Sequence, residues 1–156
     1  QNTEIAGVIA RPPFLFLGAL ALGLVWDFLL PLPFPVPGSD LVHWVIGGAL
    51  ILIGLALAVA GIRNFSRVGA PVEGYKPTRA LATAGIHGWS RNPIYLGMFL
   101  IYGGTGLAAQ NLWMLMITVP LAIIIRYGVV AREEAYLERR FGADYRDYKS
   151  RVRRWL

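Results

Sequence analysis

An all-α integral membrane protein of about four transmembrane helices, carrying a cytoplasmic loop and C-terminal amphipathic helices, is the fold class the sequence predicts. Three observations predict it. Of 156 residues, 56% are hydrophobic and only 15% charged, against roughly 25% charged in ordinary soluble domains. The mean hydropathy is +0.52. The apolar residues fall into runs long enough to cross the ~30 Å hydrocarbon core of a bilayer, with the basic residues collected beside alternate ends of those runs. This length predicts a single membrane domain over residues 1–156, whose chemistry must be built from helix ends and short loops.

Residues 13–30 carry one charge, Asp27, and span ~27 Å as a helix. The chain opens at Gln1 without an initiator methionine, and its first apolar run lacks a small-residue cleavage site, so a retained helix is expected. Pro31, Pro33, Pro35 and Pro37 end it in an external connector. Residues 41–62 carry no charge and form the second span, on which Gly47, Gly54 and Gly61 fall seven apart on one face and invite close helix approach. A polar loop over residues 63–92 follows, containing Arg63, Arg67, Glu73, Lys76, Arg79 and Arg91. Residues 93–109 and 112–130 are apolar and parted only by Gln110 and Asn111, which predicts a tight transmembrane hairpin. Gly97, Gly103, Gly104 and Gly106 thin its first helix. In the tail, residues 131–156, the recurrence of Leu137, Phe141, Tyr145, Tyr148, Val152 and Trp155 predicts helices broken at Gly142 and lying along the membrane surface.

Orientation follows from the basic residues. The external connector and the hairpin tip hold no Lys or Arg, whereas Arg11, five residues of the central loop, and nine from Arg126 onward account for all 15. Both termini and the central loop are therefore expected in the cytoplasm, at the inner or plasma membrane if the source is bacterial. The net charge of +6 points to anionic lipid headgroups and an anionic ligand rather than nucleic acid. The absence of cysteine excludes thiolate metal sites and a cysteine nucleophile. His43 has no second ligand at metal spacing and is read as structural, and Asp27 as a solvated helix-end charge.

The hairpin forces two charged segments together: His87 to Gly97, and the stretch around Arg126, Arg132, Glu133 and Glu134. Pro93 opens the third span at a position where its missing N–H costs nothing, and Arg91 and Asn92 precede the helix start, where an anion can be held. Arg126 lies inside the cytoplasmic end of the fourth span, where a charge needs a partner.

Arg91-Asn92-Pro93-x-Tyr95-x-Gly97, followed by Glu133-Glu134-x-x-Leu137-x-x-x-Phe141-Gly142-x-x-Tyr145-x-x-Tyr148, resembles the isoprenylcysteine carboxyl methyltransferase family and its relatives, the membrane phospholipid methyltransferases. The resemblance covers roughly residues 65–155; the first two spans match only in hydropathy. It implies a membrane-embedded methyltransferase that takes S-adenosylmethionine from the cytoplasm and a lipophilic or lipid-linked acceptor from the bilayer, with isoprenylcysteine-type carboxyl methylation the leading reaction. Methylation of a phospholipid amine or of a small thiol is the enzymatic alternative, and a lipid-binding scaffold the non-enzymatic one. The resemblance places Arg91, Asn92, Pro93, Tyr95, Glu133 and Glu134 at the cofactor; His87, beside them in the loop, is a further cofactor-binding candidate, and Glu134, Arg91 and, by its depth in the span, Arg126 are the catalytic candidates, with no metal. Asn92 stands where many members have His, and Ile86 and His87 stand where Pro and an aromatic residue are usual.

A cofactor with a sulfonium cation, an amino group and a carboxylate calls for an acidic side chain, an anion-holding helix start and aromatic faces, the types that Glu134, Arg91 and Tyr95 supply. Each candidate has a plainer reading. Arg91 also suits a positive-inside anchor, Glu133 and Glu134 suit neutralisation of Arg126 and Arg132, Tyr95 and Trp89 suit interfacial aromatics, His87 suits a polar loop residue, and Tyr145 and Tyr148 suit packing.

Overall fold

The computed structural model describes residues 6–71, 78 and 80–156; Glu73, Lys76 and Arg79 of the central loop lie outside the described residues. Among the described residues six α-helices follow in order: α1 (Pro12–Leu29), α2 (Asp40–Val68), α3 (Pro93–Ala108), α4 (Leu112–Ile124), α5 (Ala131–Phe141) and α6 (Ala143–Arg151). A 3₁₀ turn, Gly85–Gly88, precedes α3, and a π-helical turn, Ile125–Val130, joins α4 to α5 without a break.

Among the described residues, three helices are long and apolar enough to cross a membrane: Pro12–Leu29, Asp40–Val68 and the continuous Leu112–Phe141. The hairpin's first helix, Pro93–Ala108, is shorter, and its 16 residues reach ~24 Å.

Prolines in the first turn start α1 where no N–H is needed. Ser39 caps α2 by accepting from Val42 N at 3.4 Å, and Gly69, with φ +68, ends it in the left-handed conformation. The helix runs on past the apolar stretch that ends at residue 62. Arg63, Asn64, Ser66 and Arg67 all tolerate a helix, so it runs on until a glycine stops it. That extension carries Asn64 and Phe65 to the functional site.

The seven-residue glycine spacing on α2 meets its match on antiparallel α3. A Cβ on Gly54 would sit 2.5 Å from Gly97 O, and one on Gly47 2.6 Å from Gly104 O. Gly61 receives Ile94 and Pro93. Backbone-to-backbone contact of this kind replaces the hydrophobic drive that is missing between helices in lipid. On the other flank α1 crosses α4. Gly23 faces Met114, Trp26 stacks on Trp113 at 5.3 Å, and Asn111 caps α4 through Met114 N while its amide donates to Gly23 O. Phe16, Tyr102, Met114, Leu121, Ile125 and Val129 fill the centre. At this end the amide of Gln110 donates to Asp40 at 2.9 Å, so the proline-rich connector and the hairpin tip share one end of the bundle.

The helix of the fourth apolar run continues past residue 130 into the tail. Nothing between Ala131 and Phe141 breaks a helix, so α5 prolongs α4 until Gly142, with φ +54, turns the chain. Past it, α6 folds back, burying Tyr145, Tyr148 and Val152 against Leu81, Leu137 and Phe141.

Candidate functional site

A cavity of about 400 Å³ opens where the ends of α2, α3 and α5 meet the central loop, α6 and the entry to α1, within the ~300–1,000 Å³ range of small-molecule sites. Its polar wall carries His87, Arg91, Asn92, Tyr95, Glu133 and Glu134; Pro13, Phe14, Ile94 and Met98 continue it as an apolar wall between α1 and α3.

The two adjacent carboxylates have different surroundings. Glu134 is 6% exposed. Its Oε1 accepts from Arg154 Nε at 3.0 Å and its Oε2 from Arg154 Nη2 at 2.7 Å, while Arg91 Nη2 stands 3.1 Å from Oε1. Two guanidiniums thus occupy both oxygens. Glu133 accepts a 2.8 Å hydrogen bond from the Tyr95 hydroxyl and makes no ion pair among the described residues. One carboxylate is neutralised; its neighbour is held in place by a neutral donor.

Arg91 is fixed through several atoms. Its backbone N–H donates to Arg153 O at 3.0 Å and Nη1 to Lys149 O at 3.3 Å, but its Nε is buried without an acceptor among the described residues. Asn92 donates its amide to Arg154 O at 3.0 Å, and Ser90 bridges from the same carbonyl to Asn92 N. The segment before α3 is therefore tied to the C-terminal segment after α6.

His87 is 2% exposed. Asn64 Nδ2 donates to Ala84 O and to His87 Nδ1, both at 2.9 Å, so the ring accepts at Nδ1 and carries its proton on Nε2. Burial pushes its pKa down to about 4, and the ring is neutral at pH 7. Phe65 packs on it at 4.5 Å, and Tyr148 donates to its carbonyl at 2.6 Å. Burial pushes the Tyr148 hydroxyl up to about 12, so it remains a donor. Tyr136 closes the loop side by accepting from Thr78 N at 3.1 Å.

The structure thus brings His87, Arg91, Asn92, Pro93, Tyr95, Glu133 and Glu134 to one cavity and leaves Arg126 out. Arg126 lies on the outer face of the π-helical turn with Tyr127. The helical register puts it there: Gly128, Val129 and Val130 take the buried side of the turn. The pairing of Glu134 with Arg126 or Arg132 is corrected; its partners are Arg91 and Arg154, and Arg132 donates to Gly7 O instead. Sequence reasoning missed Arg154, Asn64 and Tyr136. Asn64, a lone amide just past an apolar run, was the one visible signal; Arg154 looks like any member of a basic tail.

The family model for phospholipid methyltransferases matches residues 42–144, and the chain belongs to that family. That places it in a methyltransferase family related to the isoprenylcysteine-type enzymes. Protein-S-isoprenylcysteine O-methyltransferase of Saccharomyces cerevisiae is 32% identical over 121 residues, 69% of this chain and 46% of the yeast protein. The chain thus spans just under half the length of that relative. An uncharacterized protein of Haemophilus influenzae is 44% identical over 68 residues, 40% of this chain and 100% of its own length. No solved structure matches.

Proposed function

We propose that the protein transfers a methyl group from S-adenosylmethionine to a lipophilic acceptor that enters from the bilayer. One observation carries this reading: among the described residues, a single cavity holds a carboxylate that makes no ion pair, Glu133, and a buried guanidinium nitrogen that has no acceptor, Arg91 Nε. A carboxylate and an unsatisfied guanidinium N–H in one cavity suit a ligand that is itself cationic at one point and anionic at another, as this cofactor is.

When bound, the cofactor supplies an electrophilic methyl group. Glu133 faces its cationic part, Arg91 its carboxylate, and Tyr95 sets the orientation of Glu133. Glu134 acts through Arg91 and Arg154, holding the guanidinium in place. His87, neutral and fixed by Asn64, is a wall and hydrogen-bonding group rather than a base. An acceptor that is already ionised needs alignment and exclusion of water more than proton transfer, and the apolar wall between α1 and α3 suits both tasks and a hydrocarbon tail.

Isoprenylcysteine-type carboxyl methylation is the leading reaction, supported by the yeast relative. Methylation of a phospholipid amine is the second reading, favoured by the family model and by the cation-seeking Glu133. The reading includes four membrane crossings, with α3 as the short third one, and a cytoplasmic cavity mouth. The test is calorimetric titration of the purified full chain with S-adenosylmethionine and its demethylated product, followed by transfer of labelled methyl to farnesylated cysteine and to phosphatidylethanolamine. Saturable binding at micromolar concentration with transfer to one acceptor is expected; absence of cofactor binding by folded protein refutes the enzymatic reading in favour of a scaffold.

A further inference from the structure

A second concave surface lies on the outer side of α3 and α4, apart from the cavity. Leu96 and Phe99 of α3 face Val119 and Ile123 of α4 across a groove of about 550 Å³, which Arg126 and Trp155 complete. The walls are hydrocarbon and the groove is open along its length, as a surface in contact with lipid acyl chains must be.

Arg126 is the anomaly in this surface. It is exposed, 14 residues beyond the start of α4 at Leu112, or ~21 Å along the axis. That falls short of the ~30 Å core, so its long side chain must reach toward the interface to find polar company. Its guanidinium stands 5.5 Å from the centroid of the Tyr127 ring and makes no ion pair among the described residues. An aromatic face compensates a cation only in part. Trp155, held against Phe99 at 6.3 Å, supplies the amphipathic indole that favours headgroup depth.

We propose that this groove binds one anionic phospholipid, with its phosphate on Arg126 and an acyl chain laid between α3 and α4. An apolar slot between two membrane helices needs a flexible hydrocarbon, and an uncompensated guanidinium at its interfacial end needs an anion; one molecule carries both. The site is distinct from the methyl-transfer cavity and does not depend on that activity. Because Trp155 follows Arg154, lipid in the groove buttresses the segment that grips Glu134.

The experiment uses the full chain in neutral detergent, titrated with phosphatidylglycerol or with phosphatidylcholine of the same chains, and reads lipid retained in native mass spectra together with the thermal midpoint. Phosphatidylglycerol should be retained one to one and raise the midpoint saturably, with phosphatidylcholine much weaker. Arg126→Gln should weaken retention at least about tenfold, the loss of one charged hydrogen bond or more. Arg126→Lys should keep most of it, Ala122→Phe should weaken it by narrowing the slot, and Arg139→Gln on exposed α5 should change nothing. Equal retention by Arg126→Gln and the parent, equal retention of the two lipids, or an equal loss in Arg139→Gln would each overturn the site.

Discussion

Arg154 grips Glu134 as a two-pronged fork, Nε to Oε1 at 3.0 Å and Nη2 to Oε2 at 2.7 Å, and so ties the last turn of the tail to the first turn of α5. Arg154→Gln should lower stability by about 1.5–3 kcal/mol, as expected for charged hydrogen bonds largely shielded from solvent. Glu134→Gln should cost at least as much, because it leaves two guanidiniums facing an amide. A double-mutant cycle read by thermal unfolding in detergent should give a coupling of about 1–3 kcal/mol; additive effects would mean the pair contributes nothing.

Glu133 should matter for ligand rather than for fold. Glu133→Gln is expected to leave the thermal midpoint within about 1 kcal/mol of the parent while reducing cofactor affinity or methyl transfer at least tenfold, about 1.4 kcal/mol. Tyr95→Phe should do less, since the carboxylate remains. Titration calorimetry and transfer of labelled methyl check both; an unchanged Glu133→Gln enzyme returns this residue to a structural role.

The α2–α3 contact predicts a sharp positional rule for alanine. Gly54→Ala must push against the Gly97 carbonyl and should cost about 1–3 kcal/mol, whereas Gly48→Ala meets nothing within 4 Å and should be neutral or slightly stabilising. Thermal unfolding of the two variants side by side reads the difference. Equal effects would mean the helices pack less closely than these contacts require.

Much of this architecture was legible beforehand, for reasons the residues make plain. Hydropathy runs, four clustered prolines and the Gly47-Gly54-Gly61 spacing are local signals, and each marks an element that formed. The cavity's membership was legible only where a motif carried it. What stayed hidden was pairing: two neighbouring glutamates look alike in a sequence, and only the return of the tail shows that one meets two arginines and the other a tyrosine. Arg126 was singled out by its depth in an apolar run, and depth does not say which face of the helix a side chain takes.

Acidification should destabilise the protein through His87. Its pKa is about 4 in the fold against 6.5 in the unfolded chain, so the unfolded state binds the extra proton between those values. The contribution is complete above pH 6.5 and disappears as pH falls toward 4. His87→Gln should flatten this part of the stability profile measured by thermal unfolding; parallel profiles would exclude His87 as the source.

The chain lacks cysteine, which makes it suited to labelling. Single cysteines at Ser39 and Gln110 should react with impermeant maleimide from outside, and one at Ser66 only from the cytoplasm. Reaction of Ser39→Cys and Ser66→Cys from the same side would defeat the proposed crossing of α2.

The π-helical turn at Ile125–Val130 makes the site's alignment a matter of counting. A wound rod transmits rotation along its length, and each residue of an α-helix turns the chain by about 100°. The wide turn absorbs one residue's worth of that rotation between the lipid-facing barrel of α4 and the acidic face of α5. A chain with one residue fewer between Ile125 and Val130 could wind regularly and keep Glu133 and Glu134 aimed at the cavity, whereas the same residues wound as a regular α-helix would rotate both away by about 100°. In this helix the irregular segment is the phase-setter, and evolution can lengthen or trim the apolar half only in steps that preserve that phase.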